Sequence, residues 1–184
     1  MKKIDDWDNV EEPSAFASLE PGPQVCIITA ATDFPDKEYI LIQYDILEGP
    51  FKGYYADLFK RLGGHWGGNM YASYKEKAIP FFKAKMTAIE KSNKGYKWDF
   101  DEKKLVGKTV VVNFREEEYI NKFKEKASIV KGFEFRSLEA LKAGDIEVKP
   151  TLTLSDQDID EPDTPVEDKP EPSTQVPVVD NLPF

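Results

Sequence analysis

The chain has 184 residues with 25 Lys and Arg, 34 Asp and Glu, one His, one Cys and 40% hydrophobic residues, which fits one main domain with tails. One Cys forms no internal disulfide, and one His with one Cys falls short of the roughly three or four nitrogen and sulfur ligands of a zinc site. The opening stretch MKKIDDWDNVEEPSAF is charged where a secretory h-region is apolar, and no stretch approaches the roughly 20 apolar residues of a membrane span, so the expectation is a cytoplasmic protein with no membrane partner.

In chain order, Glu20-Pro-Gly-Pro23 is turn chemistry, and residues 25–32 are rich in β-branched and small apolar side chains, which predicts a first strand. Asp33-Phe-Pro-Asp36 predicts a turn. Over residues 38–48 the alternation sets Ile40, Ile42, Tyr44 and Ile46 on one face and Tyr39, Gln43 and Asp45 on the other, a half-buried second strand. Gly49-Pro50 and Lys52-Gly53 break the chain before Tyr54-Tyr-Ala-Asp-Leu-Phe59, whose aromatics on both parities predict a third strand. A glycine-rich loop, residues 63–68, follows.

From residue 74 to about 94, Ala78, Phe81, Phe82, Met86 and Ile89 recur at the helical period, with Pro80 in the first turn where its missing N–H is harmless. Residues 108–114 are strongly β-branched and residues 126–135 set Ile129, Phe133 and Phe135 on one parity; these predict strands four and five. Residues 137–144, with Ser137 as cap and Gly144 as stop, predict a short closing helix.

Three strands, a helix and two strands follow the element order of an OB-fold, whose helix lies between strands three and four. The predicted class is therefore mainly β: an OB-fold, a five-stranded β-barrel with a helix between strands 3 and 4, followed by a disordered acidic tail. Another α+β sheet with the same element order is the alternative. The expected divisions are an N-terminal arm over 1–20, the OB-fold domain over 21–148 and the tail over 149–184.

The net charge of −9 opposes nucleic-acid binding when read as one number, but its distribution reverses that inference. Residues 151–184 carry nine acidic side chains against Lys169 alone, and residues 1–20 carry six against Lys2 and Lys3, which leaves 22 basic and 19 acidic residues between 21 and 150. The middle is net basic. The last segment also holds six of the 13 prolines and one aromatic residue, too little apolar area to offset its ordering entropy.

Catalytic patterns do not survive inspection. Residues 63–68 are not followed by Gly-Lys-Ser/Thr, so they are no phosphate cradle of the P-loop kind. Cys26 lies between Val25 and Ile27 and reads as a small buried hydrophobe. Asp99 and Asp101, and the acidic run 116–118, read as solvated turns between elements, without the basic or nucleophilic companion that metal-assisted hydrolysis needs. No enzyme activity, metal or cofactor is expected.

The informative pattern is rings interleaved with cations. Tyr54, Tyr55 and Phe59 accompany Lys52, Lys60 and Arg61; His65 and Trp66 follow in the glycine-rich loop; Tyr71 and Tyr74 accompany Lys75 and Lys77; Tyr96 and Trp98 accompany Lys94 and Lys97. The last strands add Arg115, and Lys122, Lys124 and Lys126 in a basic hairpin connection over residues 119–126, where OB-folds contact nucleic acid. Single strands are bound by rings that stack on unpaired bases and cations that track phosphates. The competing reading is that the rings fill the barrel and the lysines keep it soluble.

The chain closes on Val178-Val-Asp-Asn-Leu-Pro-Phe184, an apolar end with a carboxylate that suits capture in a partner pocket. Through Asp180, Leu182, Pro183 and Phe184 this end resembles the tip of bacterial single-stranded DNA-binding proteins, with Asn181 and Val178-Val179 where further acids are usual. The body, over roughly residues 15–145, resembles a family of bacteriophage single-stranded DNA-binding proteins of Gram-positive hosts. The segments that carry this likeness are Glu48-Gly-Pro-Phe-Lys-Gly-Tyr54, Tyr74-Lys-Glu-Lys77 with Phe81-Phe82, and Ile89-Glu-Lys-Ser-Asn-Lys-Gly-Tyr-Lys-Trp98. The resemblance implies an OB-fold and a replication or recombination context, and it leaves homo-oligomerisation open.

The expectation is sequence-independent binding of single-stranded DNA, with replication or recombination proteins recruited by the tip and the tail competing for the basic groove at low salt. A non-catalytic adaptor whose body binds protein is the alternative.

Overall fold

The computed structural model describes residues 18–155. The expected N-terminal arm up to residue 17, the acidic tail from 156 and its tip at Asp180, Leu182, Pro183 and Phe184 lie outside the described residues.

The fold is mainly β. Strands β1 (Gly22–Phe34), β2 (Tyr39–Ile46), β3 (Asn69–Ser73), β4 (Thr109–Ile120) and β5 (Lys126–Arg136) form one antiparallel sheet in the order β3-β2-β1-β4-β5. Three α-helices join them: α1 (Tyr54–Leu62), α2 (Ile79–Ser92) and α3 (Leu138–Ala143). None of the described helices is long and apolar enough to cross a membrane.

Alternation decides which side of the sheet is dry. Ile40, Ile42, Tyr44 and Ile46 of β2 meet Cys26 and Ile28 of β1, Met70 and Ala72 of β3, Val110, Val112 and Phe114 of β4, and Phe135 of β5 in one apolar core. Met86, Ala88 and Ile89 of α2 close it. Tyr44 is its centre, edge-on to Tyr55, Phe114 and Phe135. A Cβ at Gly132 would overlap Tyr44 Oη and Val112 Cγ1, so the β4–β5 pair approaches the core only because that position has no side chain. Cys26 is fully buried, and loss of hydration drives its thiol far above the ordinary range, in keeping with a packing residue.

Two expectations about the sheet need correction. The third strand expected over Tyr54 to Phe59 is helix α1, and β3 lies further on, after the glycine-rich loop. The helix is fixed from a distance: the buried Asp45 carboxylate of β2 accepts the N–H groups of Ile46, Tyr55 and Ala56 at 2.8, 3.0 and 3.1 Å, which satisfies amides that a helix start leaves open. The expected barrel is also open, because β3 and β5 are the two edges of the sheet. Helix α2 packs against β3, β4 and β5 and covers that gap with side chains where a closed barrel would have ladder hydrogen bonds.

Glu116 and Glu118, expected in a solvated turn, belong to β4. Beyond Phe114, β1 no longer pairs with β4, and residues 115–120 continue with 126–131 of β5 as a two-stranded arm. The vacated edge of β4 receives the segment after α3. Leu152 N–H donates to Glu116 O at 2.8 Å and Glu118 N–H donates to Leu152 O at 2.9 Å. Residues 151–154, counted with the tail by composition, are thus strapped to the body.

Candidate nucleic-acid interface

The side of the sheet opposite the core carries a grid of side chains set by register. Phe34, Tyr39 and Ser73 form one row across β1, β2 and β3; Thr32, Leu41 and Tyr71 form the next; Ala30, Gln43 and Asn69 the third. The rings of the first two rows touch: Phe34 stacks on Tyr39 at 5.0 Å between centroids, and Tyr71 meets Tyr39 edge-on at 5.3 Å. Gln43 Nε2 donates to Asn69 Oδ1 at 3.2 Å, so the third row is polar. Tyr39 is buried, yet its cover comes from Phe34 and Tyr71 and not from the core.

Of the expected binding residues, Tyr71 lies in this patch. Phe34 and Tyr39 were missed, Phe34 because it fell in a turn motif and Tyr39 because Asp36 and Glu38 outnumber Lys37 beside it. The β1–β2 connection beyond the patch carries Asp33, Asp36 and Glu38 against Lys37, which repels a phosphate backbone at that end. Lys75 and Lys77 follow β3 at this same end, where Ser73 pairs with Tyr39 and Tyr74 N–H donates to Glu38 O at 2.8 Å.

The cluster of Tyr54, Tyr55 and Trp66 does a different job. Tyr55 is 5% exposed, and packs against Tyr44, Tyr54 and Trp66. Trp66 Nε1 donates to Tyr44 O at 2.9 Å, so this ring pins the glycine-rich loop to β2. The assignment of Tyr55 to base stacking is corrected here: its faces are used up inside the protein, and burial raises its phenol well above the ordinary value. Around it, Lys52, Lys60, Arg61 and His65 are exposed on α1 and its flanking loops, with Lys60 3.8 Å from Asp57.

Tyr74 and Trp98 belong to a second series of rings. Tyr74 hydroxyl donates to Asp33 at 2.9 Å, beside Phe34. Tyr74 then meets Phe82 edge-on at 6.0 Å, Phe82 meets Trp98 at 6.0 Å, and Trp98 meets Phe100 at 5.9 Å. Glu90 of α2 ties down the loop by accepting Trp98 N–H at 2.9 Å and Lys97 Nζ at 3.2 Å, which hold its carboxyl below the usual range.

The β4–β5 arm carries ion pairs among exposed apolar side chains. Arg115 Nε donates to Glu117 at 3.0 Å and its guanidinium lies 4.7 Å from the Phe133 ring, while Lys126 pairs with Glu118 at 2.7 Å. Arg115 and Lys126 are therefore occupied in the free protein. Lys122 and Lys124 are exposed in the connecting loop. Asn121 Oδ1 accepts the N–H groups of Phe123 and Glu125 at 2.9 and 3.0 Å, a local turn that holds Phe123 70% exposed, with Lys122 Nζ 5.1 Å from its ring. Phe123 was also missed, although Lys122 and Lys124 on either side repeat the pattern of rings among cations.

The described surface thus includes the three-stranded patch, Phe59 beside Trp66 on α1, the arm tip and the series ending at Phe100. Each can stack on a planar ligand, and cations stand next to the last two. No protein-family model matches this chain, and comparison with curated proteins finds no matching relative.

Proposed function

We propose that this protein binds single-stranded DNA without sequence preference, through an OB-fold opened between β3 and β5. The strand order supports that reading: closing β3 onto β5 would complete a five-stranded barrel, and α2 lies between β3 and β4 as in an OB-fold. The single observation that carries the functional reading is the Phe34–Tyr39–Tyr71 patch on the outer face of β1, β2 and β3, the face by which OB-folds bind strands. Lys122 and Lys124 at the arm tip supply cations in the loop between the last two strands. The acidic segment ending at Leu182, Pro183 and Phe184 recruits replication or recombination proteins in this reading.

The test is fluorescence anisotropy of labelled oligothymidine, mixed-sequence single strands and duplex, at two salt concentrations. Tight, salt-sensitive binding of both single strands with weak duplex binding is expected. A variant ending at residue 155 accompanies the full chain; ending at 150 would also remove the strap at Leu152. Tighter binding by that variant at low salt is the expected sign of competition by the tail. Absence of binding by both proteins at low salt overturns the proposal and favours the adaptor reading, for which the exposed Tyr119, Ile120, Phe123 and Ile129 of the arm would be the protein contact.

A further inference from the structure

The geometry points to a second stacking platform for the same single strand, built from Phe100 on Trp98 at the α2–β4 connection, apart from the three-stranded patch. This rests on the single-strand reading above. Phe100 is 86% exposed, a large ring placed in solvent at the apolar cost that exposure carries. Its backbone has φ of 65°, a left-handed conformation uncommon for a bulky residue. The connection is braced around it: Lys104 pairs with Asp99 and with Asp101, Asp101 Oδ1 accepts Lys103 N–H at 3.1 Å, and Trp98 N–H is held by Glu90.

What the ring is held out for follows from the local charge. Residues 91–108 carry six lysines against Asp99, Asp101 and Glu102. Lys104 and Lys97 are paired, but Lys91, Lys94 and Lys103 are exposed with no ion pair among the described residues. A protruding ring tilted against tryptophan and accompanied by unpaired cations is an arrangement that suits a base and its phosphates. The series Tyr74–Phe82–Trp98–Phe100 joins this platform to the patch, since Tyr74 is bonded to Asp33 next to Phe34. A longer oligonucleotide is better able than a short one to occupy the patch and the platform at once.

The experiment compares Phe100→Ala, Phe100→Trp and Tyr71→Ala in the full chain, titrated with oligothymidines of about 5 and about 16 nucleotides, the span of site sizes seen for OB-folds. Phe100→Ala should weaken the longer oligonucleotide about tenfold, the value of one lost base stack, and leave the shorter one unchanged. Phe100→Trp should restore the longer. Thermal melting of Phe100→Ala should match the parent, because the ring is nearly free of the body. If Phe100→Ala changes neither oligonucleotide while Tyr71→Ala weakens both, the platform is overturned and the single-strand reading stands. If Phe100→Ala weakens both equally, Phe100 belongs to the one common site and a separate platform is likewise overturned. If the parent binds neither oligonucleotide, the functional reading fails and the platform with it.

Discussion

Two groups of aromatic rings lie at either end of β2 and have opposite fates. At one end Tyr55 and Trp66, with Tyr54 half-buried beside them, surround Tyr44, with Trp66 Nε1 bonded to Tyr44 O and the Tyr55 hydroxyl paired with that of Tyr44. At the other end Phe34, Tyr39 and Tyr71 touch one another on the face that the core does not use. Rings that seal a core report on stability; rings that cover each other on an open sheet face are free to trade those contacts for a ligand's. Substitutions in the two groups should therefore separate folding from binding.

The largest effect belongs to the sealed group. Tyr55→Ala empties a site walled by Tyr44, Tyr54 and Trp66 and should cost about 3–5 kcal/mol, the range for truncating a buried aromatic. Chemical denaturation checks this directly. A loss under about 1 kcal/mol would show that α1 is a loosely attached cover.

Asp45→Ala comes next. It strands the N–H groups of Ile46, Tyr55 and Ala56 and should cost about 2–3 kcal/mol. Asp45→Asn keeps an acceptor and should recover part of that loss. Recovery that is absent would mean that the carboxylate acts by its charge at the start of α1 and not by geometry.

Those two residues also explain where the sequence misled. The alternation that predicts β2 is real, because one face of that strand is buried continuously from Ile40 to Ile46. The segment Tyr54 to Phe59 carries aromatics on both parities and equally carries Tyr55, Leu58 and Leu62 at helical spacing, so local pattern cannot choose between strand and helix. The choice is made by Asp45, ten positions before Tyr55, through bonds that only the fold brings together. The second and fifth strands, α2 and the capped α3 depend on local signals and were legible. Of the candidate site, Tyr71 and the loop lysines were legible from composition. Phe34, Tyr39 and Phe100 were not, because register across β1, β2 and β3 and a left-handed backbone at Phe100 decide their exposure.

On the open face the expected loss moves from stability to affinity. Tyr71→Ala should weaken single-strand binding by about 1–3 kcal/mol, the value of one base stack, with a much smaller change in denaturation midpoint. Anisotropy and denaturation on the same preparation settle it. An unchanged affinity with a lowered midpoint would make the patch a structural cluster like the one around Tyr44 and remove the observation on which the single-strand reading rests.

The smallest effect concerns the strap. Glu118 is held below its ordinary value by Lys126 and by Leu154 N–H, and Glu116 by the hydroxyls of Ser128 and Thr151. Carboxyls depressed in the folded state stabilise it above their unfolded value of 4.5 and lose that contribution as pH falls through the lower folded value. Acid should therefore release residues 151–154 while the sheet, whose core is apolar, stays formed. Amide exchange, corrected for the intrinsic rate at each pH, should show Leu152 and Leu154 losing protection between about pH 5 and pH 3 while Val112 keeps it. Glu118→Gln retains an oxygen for Leu154 N–H but no longer titrates, so its protection at Leu154 should be lower at neutral pH and flatter against acid. Protection at Leu154 that is indifferent to both acid and the substitution would mean that the backbone bonds of Leu152 to β4 hold the strap without help from either carboxylate.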